Sequence, residues 1–365
     1  MDLVRILYSS EDSDFSCRAF REFVDDLQGA VVTSMGLLRT KALTLRKCRR
    51  IEVRSWQRSK DQRRVFEICL PASWFASGVG VTSMSILVAN AAEFGCFRLE
   101  GIHFPAGLLK TFCGPPLGIN GVRLLLGKRK GVIFAAPLKP NIAQSLEDKM
   151  AIAEELAAAG VDIIKDDEIS IWNSNDVICH AAKIQARIDK YAQNSHRPCY
   201  VPNISGEDVT EEHIRFLAKS GIRGVMLTFL LTGWGKLRQL AMLPEWNTFL
   251  YGHRAGYPAL EPFVSMPVIA TLGRISGIDL LHVGTPQPDK DRLLREVSES
   301  VKILQCEMDK LKPSIPVFSK TTPELAQWIK QLFGSDIVLM ACGALYGNDR
   351  LEKTAREWIQ EINSL

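Results

Sequence analysis

The chain has 365 residues, of which 46% are hydrophobic and 24% charged, and its formal net charge at pH 7 is +4. This composition is typical of a globular protein with one large domain or two, and so small a net charge gives no support for nucleic-acid binding. The nine cysteines include no Cys-x-x-Cys pair, which predicts free thiols in a reducing compartment and argues against a zinc site. No secretory leader and no apolar run of about 20 residues is evident, so we expect a cytoplasmic protein that does not span a membrane.

Residues 1–112 carry a mixture of helical and strand patterns. Apolar residues at helical spacing predict helices over Glu11–Leu27 and Thr82–Phe94. Alternation of polar and apolar residues predicts strands over Ile51–Trp56 and Val65–Leu70. We therefore expect residues 1–112 to form a small α+β sandwich domain of the ferredoxin-like type.

A basic stretch spans Arg39–Arg64, with eleven Lys or Arg residues and only two acidic ones. It can be a surface for an anionic partner or the solvated face of a hairpin, and we favour the hairpin. Its only aromatic residue is Trp56, whereas surfaces that bind nucleic acid interleave aromatic and basic side chains.

From residue 113 to residue 365, short apolar segments alternate with amphipathic ones, which predicts strand–helix repeats around a parallel sheet. The predicted helices include Leu146–Ala159, Glu211–Ser220, Arg292–Leu311 and Pro323–Phe333. The eight predicted strands are Gly131–Pro137, Val161–Lys165, Cys199–Ile204, Gly224–Phe229, Phe249–His253, Asp279–Val283, Pro316–Ser319 and Ile337–Ala341. Eight repeats in about 250 residues match an α/β fold of the (β/α)8 TIM-barrel type, and a doubly wound open sheet is the alternative.

Polar side chains follow nearly every predicted strand. A barrel enzyme builds its active site from the loops at the carboxyl ends of its strands, so these side chains are candidates for function. In strand order they are Lys139; Lys165, Asp167 and Glu168; Asn203 and Ser205; His253 and Arg254; His282 and Thr285; Ser319 and Lys320; and Gly343. A purely structural protein has no reason to gather them at one end.

The segment from Gly160 to Glu168 is the most informative part of this pattern. A hydrophobic strand ends there in four consecutive charges, which is costly unless the charges are paired or bind a cation. Carboxylate oxygens favour a hard divalent cation such as Mg²⁺. Lys165 could join them as an oxygen donor after reacting with CO₂ to form a carbamate. The alternative is a solvated cluster in which Lys165 pairs with a neighbouring aspartate.

Five motifs, in order along the chain, resemble the large subunit of ribulose bisphosphate carboxylase, and more closely its non-carboxylating relatives, the RuBisCO-like proteins. The resemblance covers roughly residues 80–350. The motifs are Gly114-Pro-Pro-Leu-Gly-Ile119, Leu138-Lys-Pro-Asn141, Gly160–Glu168, His253-Arg-Ala255 and His282-Val-Gly-Thr285.

This resemblance implies a role for each candidate. Lys165, carbamylated by CO₂, would hold one Mg²⁺ per site together with Asp167 and Glu168. Lys139 would be an acid/base lysine over the substrate, and His253 would contact a substrate hydroxyl. The other substrate-binding residues would be Asn90, Asn203, Arg254, His282, Ser319, Lys320 and Gly343. Of these, Arg254, His282 and Ser319 would hold a phosphate group. Asn90 would reach the site of a neighbouring subunit, which implies a homodimer with shared active sites.

Several positions depart from the carboxylase pattern. Asn141 stands where a second lysine is expected, and Lys290 lies one place late in the loop after strand 6. Lys320-Thr321 and Cys342-Gly343 replace glycine pairs whose N–H groups would surround a second phosphate. Tyr257 replaces a histidine, and a substrate-binding glutamate of the N-terminal domain has no clear counterpart. These departures argue against carboxylation of ribulose bisphosphate.

The residues that remain suit a Mg²⁺-dependent enzyme that forms an enolate from a phosphorylated keto-sugar or keto-sugar acid. The reaction would be of the isomerase, enolase or decarboxylase type and would not fix CO₂. Mg²⁺ would stabilise the developing negative charge, and Lys139 or the carbamate of Lys165 would move the proton. The alternatives are a catalytically impaired barrel that binds a sugar phosphate and a true ribulose bisphosphate carboxylase. No nucleic-acid or membrane partner is expected.

Overall fold

The computed structural model describes residues 3–10, 52–57, 63–75, 97–140, 145–169, 174–193, 196–206, 210–243, 247–347 and 350–364. The helices predicted over Glu11–Leu27 and Thr82–Phe94 lie outside these residues. The chain divides into two compact units, Met1–Phe112 with Tyr257–Leu272, and Cys113–Gly256 with Gly273–Leu365.

The first unit contains a four-stranded antiparallel sheet with the spatial order β2-β3-β1-β4. Its strands are β1 (Leu3–Ser10), β2 (Glu52–Gln57), β3 (Arg64–Pro71) and β4 (Arg98–His103). Alternate residues of β1 from Val4 to Tyr8 are buried, as a strand with one covered face requires. Leu99 on β4 donates to the Phe263 carbonyl at 2.7 Å and accepts from Ser265 N–H at 2.9 Å. These bonds connect residues 257–272 to the sheet.

The second unit is built on eight parallel strands in the order β7-β6-β5-β12-β11-β10-β9-β8. The strands are β5 (Ile133–Pro137), β6 (Ile163–Lys165), β7 (Cys199–Val201), β8 (Gly224–Leu227), β9 (Phe249–Gly252), β10 (Leu280–His282), β11 (Ile315–Phe318) and β12 (Val338–Met340). Met226 on β8 closes the ring, because its N–H donates to Pro202 and its carbonyl accepts from Ile204, both at 2.9 Å. The predicted (β/α)8 barrel with a small preceding sheet domain is therefore confirmed, and the open sheet is excluded.

Helices connect the strands and cover the barrel. Those that the described residues contain are α1 (Ala106–Leu109), α2 (Gly118–Leu126), α3 (Leu146–Ala159), α4 (Ser174–Asp189), α5 (Glu211–Lys219), α6 (Phe229–Thr232), α7 (Trp234–Ala241), α8 (Tyr257–Leu260), α9 (Met266–Ser276), α10 (Asp291–Gln305), α11 (Pro323–Phe333) and α12 (Leu351–Asn363). Two 3₁₀ helices cover Ala72–Trp74 and Gly343–Tyr346. None of these helices is long and apolar enough to cross a bilayer.

The sequence sets some helix ends locally and leaves others to tertiary contacts. Helix α3 begins at a capping box between Ser145 and Asp148 and ends at Gly160, whose φ is +94°. The predicted helix Arg292–Leu311 is too long, because α10 ends at Gln305. There the buried guanidinium of Arg274 donates to the carbonyls of Ile303 and Leu311, a contact that helical periodicity does not reveal.

Two buried aspartates fix the starts of strands at the amino end of the barrel. Asp162, which precedes β6, accepts from Phe134 N–H of β5 at 2.7 Å. Asp279, which precedes β10, accepts from Leu250 N–H of β9 at 2.9 Å and from Gly118 N–H of α2 at 2.7 Å. Helix α2 also packs its apolar side chains against the strand interior. The core therefore holds the strands in register and leaves their carboxyl ends for the polar residues.

Candidate active site

A buried cluster of charges lies at the carboxyl end of β6. Lys165 is 2% exposed, Asp166 is 0% exposed and Asp167 is 4% exposed. The amine of Lys165 donates to the backbone carbonyl of Asp166 at 2.7 Å. Burial lowers the pKa of Lys165, although the negative charges of Asp167 and Glu168 oppose that change. The alternative of a solvated cluster is wrong for these three residues, because they are removed from water.

The carboxylate of Asp166 is held by partners that the sequence did not reveal. Lys149 on α3 approaches it at 3.4 Å, Asn203 N–H donates to it at 3.1 Å, and the Tyr200 hydroxyl also bonds to it. A buried ion pair persists only where such additional bonds satisfy it. The available signal was the position of Lys149, four residues before the buried Ala153 on the inner face of α3.

Lys139 and Asp167 form an ion pair that joins the ends of β5 and β6. The amine of Lys139, which is about a third exposed, lies 2.8 Å from Oδ2 of Asp167. Burial raises the pKa of Asp167, but the hydrogen bond from Lys139 and the positive charges of Lys165 and Lys139 outweigh it, so the pKa is lowered overall. Leu138 N–H donates to the Lys165 carbonyl at 2.8 Å, which fixes the turn that carries Lys139.

Asn203 holds the loop that follows β6. Its side-chain amide donates to the carbonyls of Asp167 at 3.3 Å and Glu168 at 3.1 Å, and its Oδ1 accepts from the Ser205 hydroxyl at 2.6 Å. The side chain is fully buried, and these bonds orient the backbone that presents both carboxylates. Contact between Asn203 and a substrate stays a prediction.

Two neutral histidines lie beside the carboxylates. The rings of His253 and His282 are 4.6 Å apart, and Nε2 of His253 lies 3.6 Å from Glu168. Burial, aided by the charge of Lys165, lowers the pKa of His253 to about 3. Burial and the neighbouring His253 hold the pKa of His282 well below its usual range. Neither ring carries a charge near pH 7.

Arg254 follows His253 and packs on Gly284 in the loop after β10. A Cβ on Gly284 would lie 3.3 Å from the Arg254 guanidinium, and φ at this glycine is +94°. The glycine of the His282-Val-Gly-Thr285 motif thus makes room for the arginine. The guanidinium of Arg254 lies near the two histidines, and its positive charge also lowers the pKa of both rings.

The ends of β11 and β12 carry the remaining candidates. The Ser319 carbonyl accepts from the Thr285 hydroxyl at 2.5 Å. Lys320 is exposed and has a left-handed backbone with φ +57°, a conformation that favours glycine. Gly343 opens a 3₁₀ helix next to Cys342, whose thiol pKa is raised by burial.

The structure places each described candidate at the same end of the barrel. Hydrogen bonds, ion pairs and ring contacts link Lys139, Asp167, Glu168, Asn203, His253 and His282. Lys165 interacts with this group through the charges of Asp167 and Glu168. Arg254, Ser319, Lys320 and Gly343 follow the neighbouring strands. Asn90 lies outside the described residues. The sequence patterns do not identify Lys149, Tyr200 and Tyr251 as parts of the site. The one signal for them is a polar side chain at a position that the helix or strand spacing assigns to the interior.

The donor set is suited to Mg²⁺ only with a modified lysine. Among the residues that the structure describes, no three His, Cys, Asp or Glu side chains gather closely enough to hold a metal ion. Asp167 and Glu168 are adjacent carboxylates of the kind that Mg²⁺ prefers, but they are only two. A carbamate on Lys165 would supply the third anionic oxygen donor, and the lowered pKa of this amine favours the neutral form that reacts with CO₂.

The fold and the site define a class: a (β/α)8-barrel protein with lysines and carboxylates at the carboxyl ends of its strands. Residues 118–350 match the model of the ribulose bisphosphate carboxylase large chain, catalytic domain. The chain therefore belongs to the ribulose bisphosphate carboxylase large-chain family, as the five motifs predicted, and members of this family are enzymes.

Comparison with individual proteins agrees with this assignment. Ribulose bisphosphate carboxylase of Pyrococcus furiosus is 28% identical over 304 residues, which are 78% of this chain and 70% of that protein. Octameric Rubisco from Pyrococcus horikoshii OT3 has a TM-score of 0.82 at 22% identity, covering 100% of this chain and 88% of that one. A rubisco-like protein (MtnW) from Alicyclobacillus acidocaldarius has a TM-score of 0.77 at 25% identity, covering 100% and 94%.

The comparisons overturn the predicted reaction. Eight curated relatives, 26–32% identical to this chain, are named ribulose bisphosphate carboxylase, and the chain spans 62–70% of their length. The expected non-carboxylating isomerase, enolase or decarboxylase is therefore wrong as the main prediction. It gave too much weight to single substitutions such as Asn141, and such as Lys320 in the loop after β11. Such loops change more freely than the barrel beneath them.

Proposed function

We propose that this chain is a carboxylase-type enzyme that binds ribulose bisphosphate and Mg²⁺ at the mouth of the barrel and adds CO₂ to the sugar. The observation that carries the proposal is a buried lysine, Lys165, next to two adjacent carboxylates at the carboxyl end of β6. The names of the curated relatives support ribulose bisphosphate as the substrate.

Lys165 would act before the substrate binds. A neutral amine attacks the carbon of CO₂, forms a C–N bond and releases one proton to solvent, which leaves an anionic carbamate. Burial favours this step because it lowers the pKa of the amine. The carbamate, Asp167 and Glu168 would then hold Mg²⁺. When bound, this ion would supply Lewis-acid stabilisation of negative charge on the sugar oxygens.

Lys139 and His253 would act on the bound sugar. Lys139 is partly exposed and its amine is oriented by Asp167 at 2.8 Å, so it can reach a ligand at the mouth. We assign to it, or to the carbamate of Lys165, the removal of the proton next to the ketone, which makes that carbon nucleophilic towards CO₂. The neutral ring of His253 would hold a sugar hydroxyl by a hydrogen bond.

The test is incorporation of label from ¹⁴C-bicarbonate into acid-stable product with ribulose 1,5-bisphosphate and Mg²⁺. We expect incorporation by the wild-type protein and a loss of more than about 100-fold in Lys165→Met. Lys302→Met, which changes an exposed lysine on α10, is the matched control and should retain activity. ¹³C NMR under ¹³CO₂ should show a carbamate signal that K165M alone removes. A folded wild-type protein that binds the sugar and Mg²⁺ but incorporates no label would refute the carboxylase proposal.

A second candidate is a barrel that binds a sugar phosphate without turnover. The observation that favours it is Lys320, a side chain in the left-handed region where the resemblance leads one to expect glycine. Its Cβ and side chain change the space around the backbone N–H groups that would surround a phosphate. Equilibrium dialysis with ribulose 1,5-bisphosphate separates the candidates, because binding without label incorporation supports only the second.

A further inference from the structure

A buried hydrogen bond connects Tyr251 on β9 with His282 at the end of β10. The hydroxyl of Tyr251 lies 2.8 Å from Nε2 of His282, and the side chains are 1% and 3% exposed. Tyr251 belongs to the core cluster inside the barrel. Because alternate residues of a strand share a face, His253 lies on the same face as Tyr251, one layer nearer the mouth.

The direction of this hydrogen bond follows from what else the tyrosine can bind. Within the described part of the chain, the Tyr251 hydroxyl has His282 as its one hydrogen-bond partner. If Nε2–H of His282 donated, the phenolic proton would be buried without an acceptor, which carries a desolvation penalty. The favoured arrangement has the hydroxyl donating to Nε2. Burial raises the pKa of Tyr251 well above its usual value, so the phenol keeps the proton it donates.

A neutral imidazole that accepts at Nε2 carries its proton on Nδ1. The neighbouring ring has the opposite arrangement, because Nδ1 of His253 accepts from Ala255 N–H at 3.2 Å, which places its proton on Nε2. Two rings 4.6 Å apart are thus held in different tautomers by different partners. In the described residues no hydrogen-bond partner occupies Nδ1 of His282, and this nitrogen is not one of the fully buried polar atoms that lack a partner. Its N–H can therefore meet water or a ligand, which the phenolic proton of Tyr251 could not.

We propose that Tyr251 is a positioning residue that fixes His282 in the Nδ1–H tautomer, so that the ring meets the phosphate group that the resemblance assigns to it as a neutral N–H donor. The part that concerns the ligand rests on the proposed function. The tautomer itself depends only on the Tyr251–His282 contact, and it can be tested without substrate.

The test is ¹⁵N NMR of protein labelled at histidine, with the His282 signals assigned by their loss in His282→Gln. In the wild-type protein we expect Nδ1 of His282 to be protonated and Nε2 to be unprotonated. Tyr251→Phe should move the proton partly or wholly to Nε2 of His282 and leave the His253 signals in the Nε2–H form. Tyr257→Phe is the matched control, since it also removes a buried tyrosine hydroxyl, one that donates to the Val264 carbonyl at 3.1 Å, and it should change neither ring.

Binding of inorganic phosphate provides the second measurement. We expect the dissociation constant to rise about 5-fold in Y251F and to stay unchanged in Y257F, because only Y251F releases the N–H donor from its fixed position. If Y251F does not fold, incorporation of 3-fluorotyrosine replaces it. A more acidic phenol should shift the Nε2 resonance of His282.

Three results would overturn the inference: an Nε2–H tautomer in the wild-type protein, an unchanged tautomer in Y251F, or an unmoved Nε2 resonance with 3-fluorotyrosine. Failure of the proposed function has a different signature. It would leave the tautomer and its dependence on Tyr251 intact while label from bicarbonate is not incorporated.

Discussion

At the scale of single residues, burial decides which groups at the barrel mouth can react. On a solvated strand end Lys165 would be an ordinary cation. In the fold only 2% of it is exposed, its amine donates to a backbone carbonyl, and burial lowers its pKa. His253 and His282 are likewise kept neutral by burial. Lys139 keeps about a third of its side chain in solvent. The carboxyl ends of β5 and β6 therefore provide one enclosed amine, Lys165, and one that can meet a ligand, Lys139.

Asp279 provides a residue-scale prediction about stability and pH. Burial raises its pKa to about 7 even though three backbone N–H groups donate to it. The unfolded chain releases this proton near pH 4 and the folded chain near pH 7, so the folded state binds more protons in between. The contribution of Asp279 to the free energy of unfolding should therefore fall as pH rises through this window, by at most about 1.4 kcal/mol per pH unit.

Urea denaturation of the wild-type protein and Asp279→Asn, from about pH 4.5 to about pH 7.5, measures this contribution. The stability advantage of the wild-type protein over D279N should shrink as pH rises towards 7 and level off above it. A difference that does not depend on pH would contradict the raised pKa.

At the scale of elements, two helix–strand junctions repeat the same design. Helices α3 and α9 are followed by Gly160 with φ +94° and Gly277 with φ +108°, and each glycine precedes by two positions the aspartate that fixes the next strand. The surroundings differ. A Cβ on Gly160 would meet no atom within 4 Å, whereas one on Gly277 would lie 2.2 Å from Cβ of Ala241.

This difference separates backbone strain from steric overlap. Gly160→Ala should lower the free energy of unfolding by about 1–2 kcal/mol, the cost of a left-handed backbone. Gly277→Ala should cost about 1–3 kcal/mol more, because Ala241 must also move. Chemical denaturation of the two variants gives the comparison directly. Equal losses would show that the contact with Ala241 relaxes without cost.

At the scale of the whole molecule, two of the similar solved structures are oligomers: the Rubisco of Hyperthermus butylicus is dimeric and that of Pyrococcus horikoshii OT3 is octameric. The resemblance implies active sites shared between subunits, which would put the interface at the barrel mouth. Leu231 on α6 is 75% exposed and lies at that end, because α6 directly follows β8. Leu124 on α2 is equally exposed but lies at the amino end. A single exposed apolar side chain needs no partner, so it is the position of Leu231 at the mouth, and not its exposure, that makes it the interface candidate.

Size-exclusion chromatography with light scattering tests this arrangement. We expect the wild-type protein to have the mass of a dimer or a larger assembly, and Leu231→Glu to shift the population towards the monomer. Leu124→Glu introduces the same charge at the opposite end and should leave the mass unchanged. An L231E protein that assembles like the wild type would place the interface elsewhere.

The sequence by itself determined the eight strand–helix repeats and most of the candidate site, whereas the bonds of Met226 that close the strands into a barrel are seen only in the structure. Eight short apolar segments separated by amphipathic helices fix the strand count, and the polar residue that follows each strand must lie at the carboxyl end, because parallel strands share one direction. Lys139, Lys165 and Asp167 were identifiable for that reason alone. Each of these residues ends or directly follows an apolar strand segment, so its place in the fold can be predicted from the residues next to it in the chain.

The tertiary structure alone decided the contacts between residues that are distant in the chain. The Lys149–Asp166 pair, the Tyr251–His282 hydrogen bond and the connection of residues 257–272 to β4 leave no periodic trace in the sequence. The first two contacts arise because the folded barrel brings groups from different repeats into a space without water, and the third arises because a segment from the middle of the chain joins the antiparallel sheet of the first unit. In a space without water a polar atom must find a partner, and the distances of the folded chain determine which partner it finds.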